Sequence, residues 1–264
     1  MERIGDLTAF YVPDGDGFAS TELTRGPWDV DSQHGGPPCA LLGRALEAAG
    51  AISPAQMVRI SFEILRPVPI GRLAMTAEVV RGGRKVELID GALTHEGTEL
   101  IRARAWRIRT ADVAVDPEPP EPPALPGPDG ARPARYFDVD WDLGFQAAMD
   151  VRFLSGDFVE PGPGQAWMRM RVPLIEGEAT TPLDRLIVAA DGGNGVSAPL
   201  DYRRFSAINT DLGVSLRRLP RGDWICLDSV TYPGHHGVGL SDTVLHDRDG
   251  MVARGTQSLL VYER

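Results

Sequence analysis

Residues 34 to 38 read His-Gly-Gly-Pro-Pro and lead directly into the apolar run CALLGRALEAAG. Backbone N–H groups at a helix start are unpaired and sit at the positive end of the helix dipole. They can stabilise negative charge, such as that developing on a carbonyl oxygen attacked by water. Gly35 and Gly36 would let backbone and ligand come close, and His34 could either donate to a bound group or fix the loop. Other candidates are weaker. His235 and His236 are adjacent, so in a strand they point apart, and no further ligands follow at zinc spacing. Gly192-Gly193-Asn194-Gly195 lacks the lysine of a phosphate loop. There is no Gly-x-Ser-x-Gly elbow, which disfavours a serine triad. Arg81, Arg84 and Lys85 fall at a turn and could meet phosphates. Trp28 could line a pocket or belong to the core. Gln257 shares strand parity with Leu259 and Val261, so it points inward, where an amide needs hydrogen-bond partners.

The elements that would carry these residues come in two similar sets. In the first, Ala40, Leu41, Ala45, Leu46 and Ala48 describe a nearly all-apolar helix stopped at Gly50. Alternating Ile60, Phe62 and Ile64 then read as strand, followed by a turn at residues 81–84 and a hairpin turning at residues 95–98. In the second, TPLDRLIVAAD reads as an apolar helix broken by the glycines at 192, 193 and 195. Alternating Leu212, Val214 and Leu216 follow, then a hairpin turning at residues 247–250. Residues 136–172 would supply the opening strands of this half. Between the sets, residues 116–133 read DPEPPEPPALPGPDGARP; eight of them are proline, which indicates an extended connector. A repeat of this length indicates a duplicated domain, at residues 1–115 and 134–264. One long helix with four or five antiparallel strands is best buried by wrapping the sheet around the helix. The expected class is therefore α+β: a tandem double hotdog, two antiparallel sheets each wrapped around a long central helix.

The composition fits a globular chain of 264 residues, 42% hydrophobic and 24% charged, with no apolar run long enough to span a membrane. The net charge of −10 argues against nucleic-acid or anionic-membrane partners, though local arginines can still hold an anion. Cys39 and Cys226 lie in apolar surroundings and read as buried thiols. The N-terminus has no apolar signal region. A cytoplasmic protein is expected.

The order RGPWDVDSQHGGPPCALLGRALE, FEILRPVPIG, NTDLGVSLRR and ARGTQSLLV resembles the TesB-like acyl-CoA thioesterase II proteins and their actinobacterial relatives, over most of the chain outside the connector. The resemblance implies an acyl-CoA substrate, no cofactor and no metal. It also implies a water-activating trio: an Asp ending the second-half helix, a Thr on the next strand and a Gln on the last. These fall on Asp191, on Asn209 or Thr210, and on Gln257. Ungapped, the Thr position is Asn209. A one-residue slip would give Thr210 but turn it to the opposite face, so only one of the two can serve.

The His-Gly-Gly segment also resembles single-hotdog thioesterases that place a catalytic acid nine residues after the His. Here that position is Gly43, and nine residues before Asp191 stands Pro182. The halves therefore look complementary. One composite site is expected, with amides near Gly35 and Gly36 from the first half and Asp191, as proton acceptor, from the second. Two other readings stand beside hydrolysis. One is a non-catalytic acyl-CoA binder or regulator, favoured by Asn at the Thr position. The other is a hotdog hydratase or dehydratase, which needs a His with a helix acid that neither half pairs. Homo-oligomers of double-hotdog chains are compatible with this reading.

Overall fold

The computed structural model describes residues 4, 6–114, 116, 124–135 and 139–264. Strands β1 (Tyr11–Asp14) and β2 (Gly17–Ser20) precede helix α1 (Gly36–Ala49). Then come β3 (Ala55–Ile64), β4 (Arg72–Arg81), β5 (Val86–His95) and β6 (Thr98–Arg109). Next are β7 (Arg132–Ala134), α2 (Phe145–Ala148), β8 (Met149–Ser155), β9 (Gly164–Met170), α3 (Pro182–Ala190) and α4 (Gly193–Val196). The chain closes with β10 (Phe205–Asn209), β11 (Asp211–Leu216), β12 (Ile225–Pro233), β13 (Val238–Asp247) and β14 (Gly250–Glu263).

The strands form one large antiparallel sheet with few helices, an α+β arrangement. Its order is β1-β2-β4-β5-β6-β3-β11-β14-β13-β12-β9-β8-β7, with β10 also pairing β14. The repeat in the sequence reappears as topology. In each set a strand that follows the helix, β3 or β11, lies beside the last strand, β6 or β14. The halves then join edge to edge through β3 and β11, where Phe62 faces Leu212 and Ile60 faces Val214. These four side chains are fully buried, and pairing leaves neither β3 nor β11 as an open edge.

The two longer helices run against each other in opposite directions. Thr181 caps α3 and accepts from the Asp184 N–H, while the Asp184 carboxylate accepts from the Thr181 N–H. Arg44 of α1 donates to that same carboxylate at 3.0 Å. At the other end, Gly36 of α1 abuts the backbone of Val188. Between them a side chain at Gly43 would come within 2.7 Å of Ile187 Cδ1.

Two details depart from the sequence reading. The glycines after Asp191 do not break the chain into a loop. Gly192 N–H bonds Ala189 O at 2.8 Å, and Val196 N–H bonds Gly192 O at 2.9 Å, so helical turns continue into α4. Glycine lowers helix stability, but burial of this segment outweighs that cost. The proline-rich stretch also does not remain a free connector up to residue 133. Its residues 117–123 lie outside the described ones, but its end packs on the second half. Pro126 O accepts from Trp167 Nε1 at 2.8 Å, Asp129 pairs with Arg248, and the stretch enters the sheet as β7. Pro133 is tolerated because β7 is an edge strand. Cys39 and Cys226 are buried free thiols. No helix among the described residues is long and apolar enough to cross a membrane.

Candidate active site

The segment before α1 is pinned by backbone bonds. His34 N–H donates to Thr24 O at 2.7 Å, and Gln33 N–H to Val68 O at 2.8 Å. Gln33 is clamped further: its Oε1 accepts from Tyr11 Oη at 2.6 Å and its Nε2 donates to Pro69 O at 2.7 Å. The His34 ring is therefore held in place from both sides of the chain. It stacks on Phe145 at the start of α2, centroids 3.9 Å apart and planes 6° apart.

Asp191 stands at the end of α3, only 5% exposed, facing the start of α1. His34 Nδ1 lies 3.0 Å from its Oδ2. Asn209 Nδ2 donates to Oδ1 at 2.9 Å, and Gln257 Nε2 approaches Oδ1 at 3.4 Å and the Asp191 carbonyl at 3.2 Å. Gln257 Oε1 in turn accepts from the Asn194 N–H at 3.1 Å. Burial pushes the Asp191 carboxyl up, but the His34 charge and hydrogen bond, the Asn209 amide and the Gly36 N–H together outweigh it. The carboxyl is held below the usual carboxylate range, so Asp191 is an anion. An anionic Oδ2 is an acceptor only. The Gly36 N–H donates to His34 Nδ1 at 3.2 Å and also helps to hold the Asp191 carboxyl down.

This pocket of polar groups opens into a cavity of about 440 Å³, walled largely by apolar side chains that include Ile64, Leu65, Ile101 and Ile208. His34, Gly35, Asp191 and Asn209 line the same cavity. Gly35 fits only because it has no Cβ, since one would come within 2.8 Å of Asp191 Oδ2.

Most of the residues singled out in the sequence meet here: His34, Gly35, Gly36, Asp191, Asn209 and Gln257. Thr210 does not join them. It is exposed, its hydroxyl is directed to Ser258 O at 3.4 Å, and it lines only the cavity rim. Strand parity separates it from Asn209, which turns towards Asp191. Neither half pairs an imidazole with a helix acid internally, but the antiparallel helices bring His34 of one to Asp191 of the other. The amide donors also narrow to one. Pro37 and Pro38 have no N–H and the Gly36 N–H is engaged by His34 Nδ1 and Asp191, whereas the Gly35 N–H has no hydrogen-bond partner among the described residues.

Arg81, Arg84 and Lys85 do not line the cavity; the exposed Arg66 does, together with Trp28. Arg66 belongs to the RPVPIG turn and could have been singled out there. Phe145 and Asn194 carried no signal in the sequence, because only the tertiary fold brings them to His34 and Gln257. Among the described residues no group of His, Cys, Asp and Glu could hold a metal ion. The Cys39 thiol is pushed well up by burial and by Asp191 nearby, which makes it a poor nucleophile.

Two family models match the chain: acyl-CoA thioesterase N-terminal domain over residues 24–108 and acyl-CoA thioesterase C-terminal domain over residues 115–261. Among solved structures, a thioesterase II candidate from Thermobifida fusca YX is 22% identical. The match covers 98% of this chain and 99% of that one, with a TM-score of 0.75. A protein with a hot dog fold from Alicyclobacillus acidocaldarius is 16% identical, over 96% and 95%, with a TM-score of 0.71. The acyl-CoA thioesterase II TesB2 of Mycobacterium marinum is 18% identical, over 92% and 96%, with a TM-score of 0.64. At such identities the structural likeness speaks for the fold alone. A search among curated proteins finds no match.

Proposed function

Because the chain belongs to the acyl-CoA thioesterase family, we propose that it hydrolyses acyl-CoA thioesters to free acid and CoA by direct attack of water in the cavity beside Asp191. Two hotdog domains in tandem, residues 1–115 and 134–264 joined by residues 116–133, would carry one working site between them, each wrapping its sheet around α1 or α3. The observation that carries this reading is the buried Asp191 carboxylate of the second half, lying against the start of α1 and opening on an apolar-walled cavity.

The acyl chain would occupy the apolar walls. The carbonyl oxygen would take the Gly35 N–H, worth about 10²–10³ in rate for one such donor. Asn209 and Gln257 would keep Asp191 and the attacking water in register. Arg66 at the rim would meet a CoA phosphate as a charge-assisted donor. No step needs a metal or a covalent intermediate.

Thiol release from acyl-CoAs of graded chain length tests the reading. Turnover that peaks at one length and collapses in Asp191→Asn is expected. A folded protein silent on every length would overturn it, and tight binding without turnover would select the binder. One observation favours a second reading: a His–acid pair, as at His34 and Asp191, is what a hydratase or dehydratase requires. Water addition to an enoyl-CoA, with no thiol released, would select that reaction.

A further inference from the structure

We propose that Asn194 is a positioning residue, whose backbone turns the Gln257 amide towards Asp191 and whose side chain holds the strand that carries Asn209. On the thioesterase reading above, on which this rests, those two amides keep Asp191 in register.

The glycine run after Asp191 supplies the frame. Helical bonds carry the chain through Gly192 into α4, and Ser197 Oγ closes the turn by donating to Gly193 O at 2.9 Å. The same hydroxyl meets Thr231 Oγ1 of β12 at 2.7 Å. Gly193 rests on β13 and β14 with no room for a side chain. A Cβ there would strike Thr243 Oγ1 and come within 3.2 Å of Gln257 Oε1. Glycine at 193 therefore lets the next N–H come down onto β14.

That N–H belongs to Asn194 and donates to Gln257 Oε1 at 3.1 Å. A donor can face only the oxygen of an amide, so it decides which way the Gln257 amide lies. The Nε2 end is thereby turned to Asp191, 3.2 Å from its carbonyl oxygen and 3.4 Å from Oδ1. The Asn194 side chain reaches the other way. Its Nδ2 donates to Ala207 O at 3.2 Å. Ala207 lies on β10, two residues before Asn209, and β14 is the one strand that β10 pairs with among the described residues. The bond to Asn194 ties β10 to α4 as well. From the end of β10, Asn209 Nδ2 reaches Asp191 Oδ1 at 2.9 Å. One residue thus aligns both amide donors of the same carboxylate oxygen. Such alignment matters because a misplacement of about 1 Å costs about 10²-fold in rate even when it arises away from the chemistry.

The test measures thiol release from an acyl-CoA that the wild type turns over, in a cycle of Asn194→Ala, Asn209→Ala and the double variant. Alanine is the best helix former, so α4 and its N–H are kept. Asn194→Ala should lower kcat by roughly fivefold or more with KM within about threefold. In the Asn209→Ala background the same change should lower kcat by less than about twofold, because the group through which it acts is gone. The acid limb of the kcat profile should move to higher pH in Asn194→Ala, since an Asp191 short of the Asn209 donor is protonated more easily. Lost stability alone would not move that limb. An unchanged kcat, an unmoved acid limb, or an equal loss with and without Asn209 would overturn the proposal. An equal loss would mark Asn194, which lines the cavity, as touching substrate itself. Exchange of the side-chain amide protons in the wild type needs neither a variant nor turnover. One Nδ2 proton of Asn194 and one Nε2 proton of Gln257 should exchange with solvent at least about tenfold more slowly than in a free amide. Free exchange at either would also overturn it. A wild type silent on every acyl-CoA would remove the thioesterase reading, while slow exchange would still show that Asn194 holds the two amides.

Discussion

The side-chain amide of Asn209 donates to Oδ1 of Asp191 at 2.9 Å, from the last residue of a strand to the end of a helix. A hydrogen bond to a buried charged group is worth about 1.5–3 kcal/mol. Asn209→Ala should therefore lower kcat by roughly tenfold or more, and lower the melting temperature, since it leaves a buried carboxylate short of a donor. Thiol release and thermal unfolding measured together would check both effects.

The neighbouring residue should behave differently. Thr210 faces solvent and its hydroxyl bonds only to Ser258 O. Thr210→Val should leave kcat within about threefold, in line with the small effects of exposed substitutions. A loss as large as that of Asn209→Ala would mean the strand presents its other face to the substrate.

Gly35→Ala is a local test of how closely the two halves meet. Its Cβ would lie 2.8 Å from Asp191 Oδ2, a distance that forces one of them to move. Overpacking of this kind costs about 1–3 kcal/mol. Lower stability in urea and reduced turnover are expected together; unchanged values of both would mean the approach is looser than 2.8 Å.

Asp191 also predicts how stability depends on acid. Its folded pKa lies below the ordinary value of 3.8, so its contribution is fully present above that value. The contribution is lost as pH falls through the lower folded value. Unfolding free energies of wild type and Asp191→Asn should then run parallel at neutral pH and converge only in strong acid. Convergence already near neutrality would show that the carboxyl is not held down.

Arg66 at the cavity rim should affect binding rather than chemistry. Arg66→Ala should raise KM for acyl-CoA several-fold with kcat little changed, as expected when uniform binding is lost. The effect should shrink at high salt, because an exposed charge is screened. An equal KM for the two proteins at low salt would remove Arg66 from the CoA handle.

Much of the molecule was legible in order and pattern. The Ile60–Phe62–Ile64 alternation, the turns at 81–84 and 95–98, and the apolar run into Gly50 all depend on neighbours in the chain, and the structure reproduces them. The same holds for the inward parity of Gln257, which is buried on β14. The choice between Asn209 and Thr210 could not be made in this way. It depends on register against β14, where Asn209 stands opposite Leu259, and one residue of slip exchanges the faces.

The chain by itself determined which groups could do chemistry: a His-Gly-Gly start to one apolar helix, an acid at the end of another, and an amide on the last strand. It determined this because residue type and local period are written in consecutive positions. Only the tertiary structure decided which of them meet. The antiparallel crossing of α1 and α3, close enough to require Gly36, sets His34 3.0 Å from Asp191. That distance joins residues far apart in sequence, and no local pattern encodes it. It follows from burying two apolar helices against each other beneath one sheet.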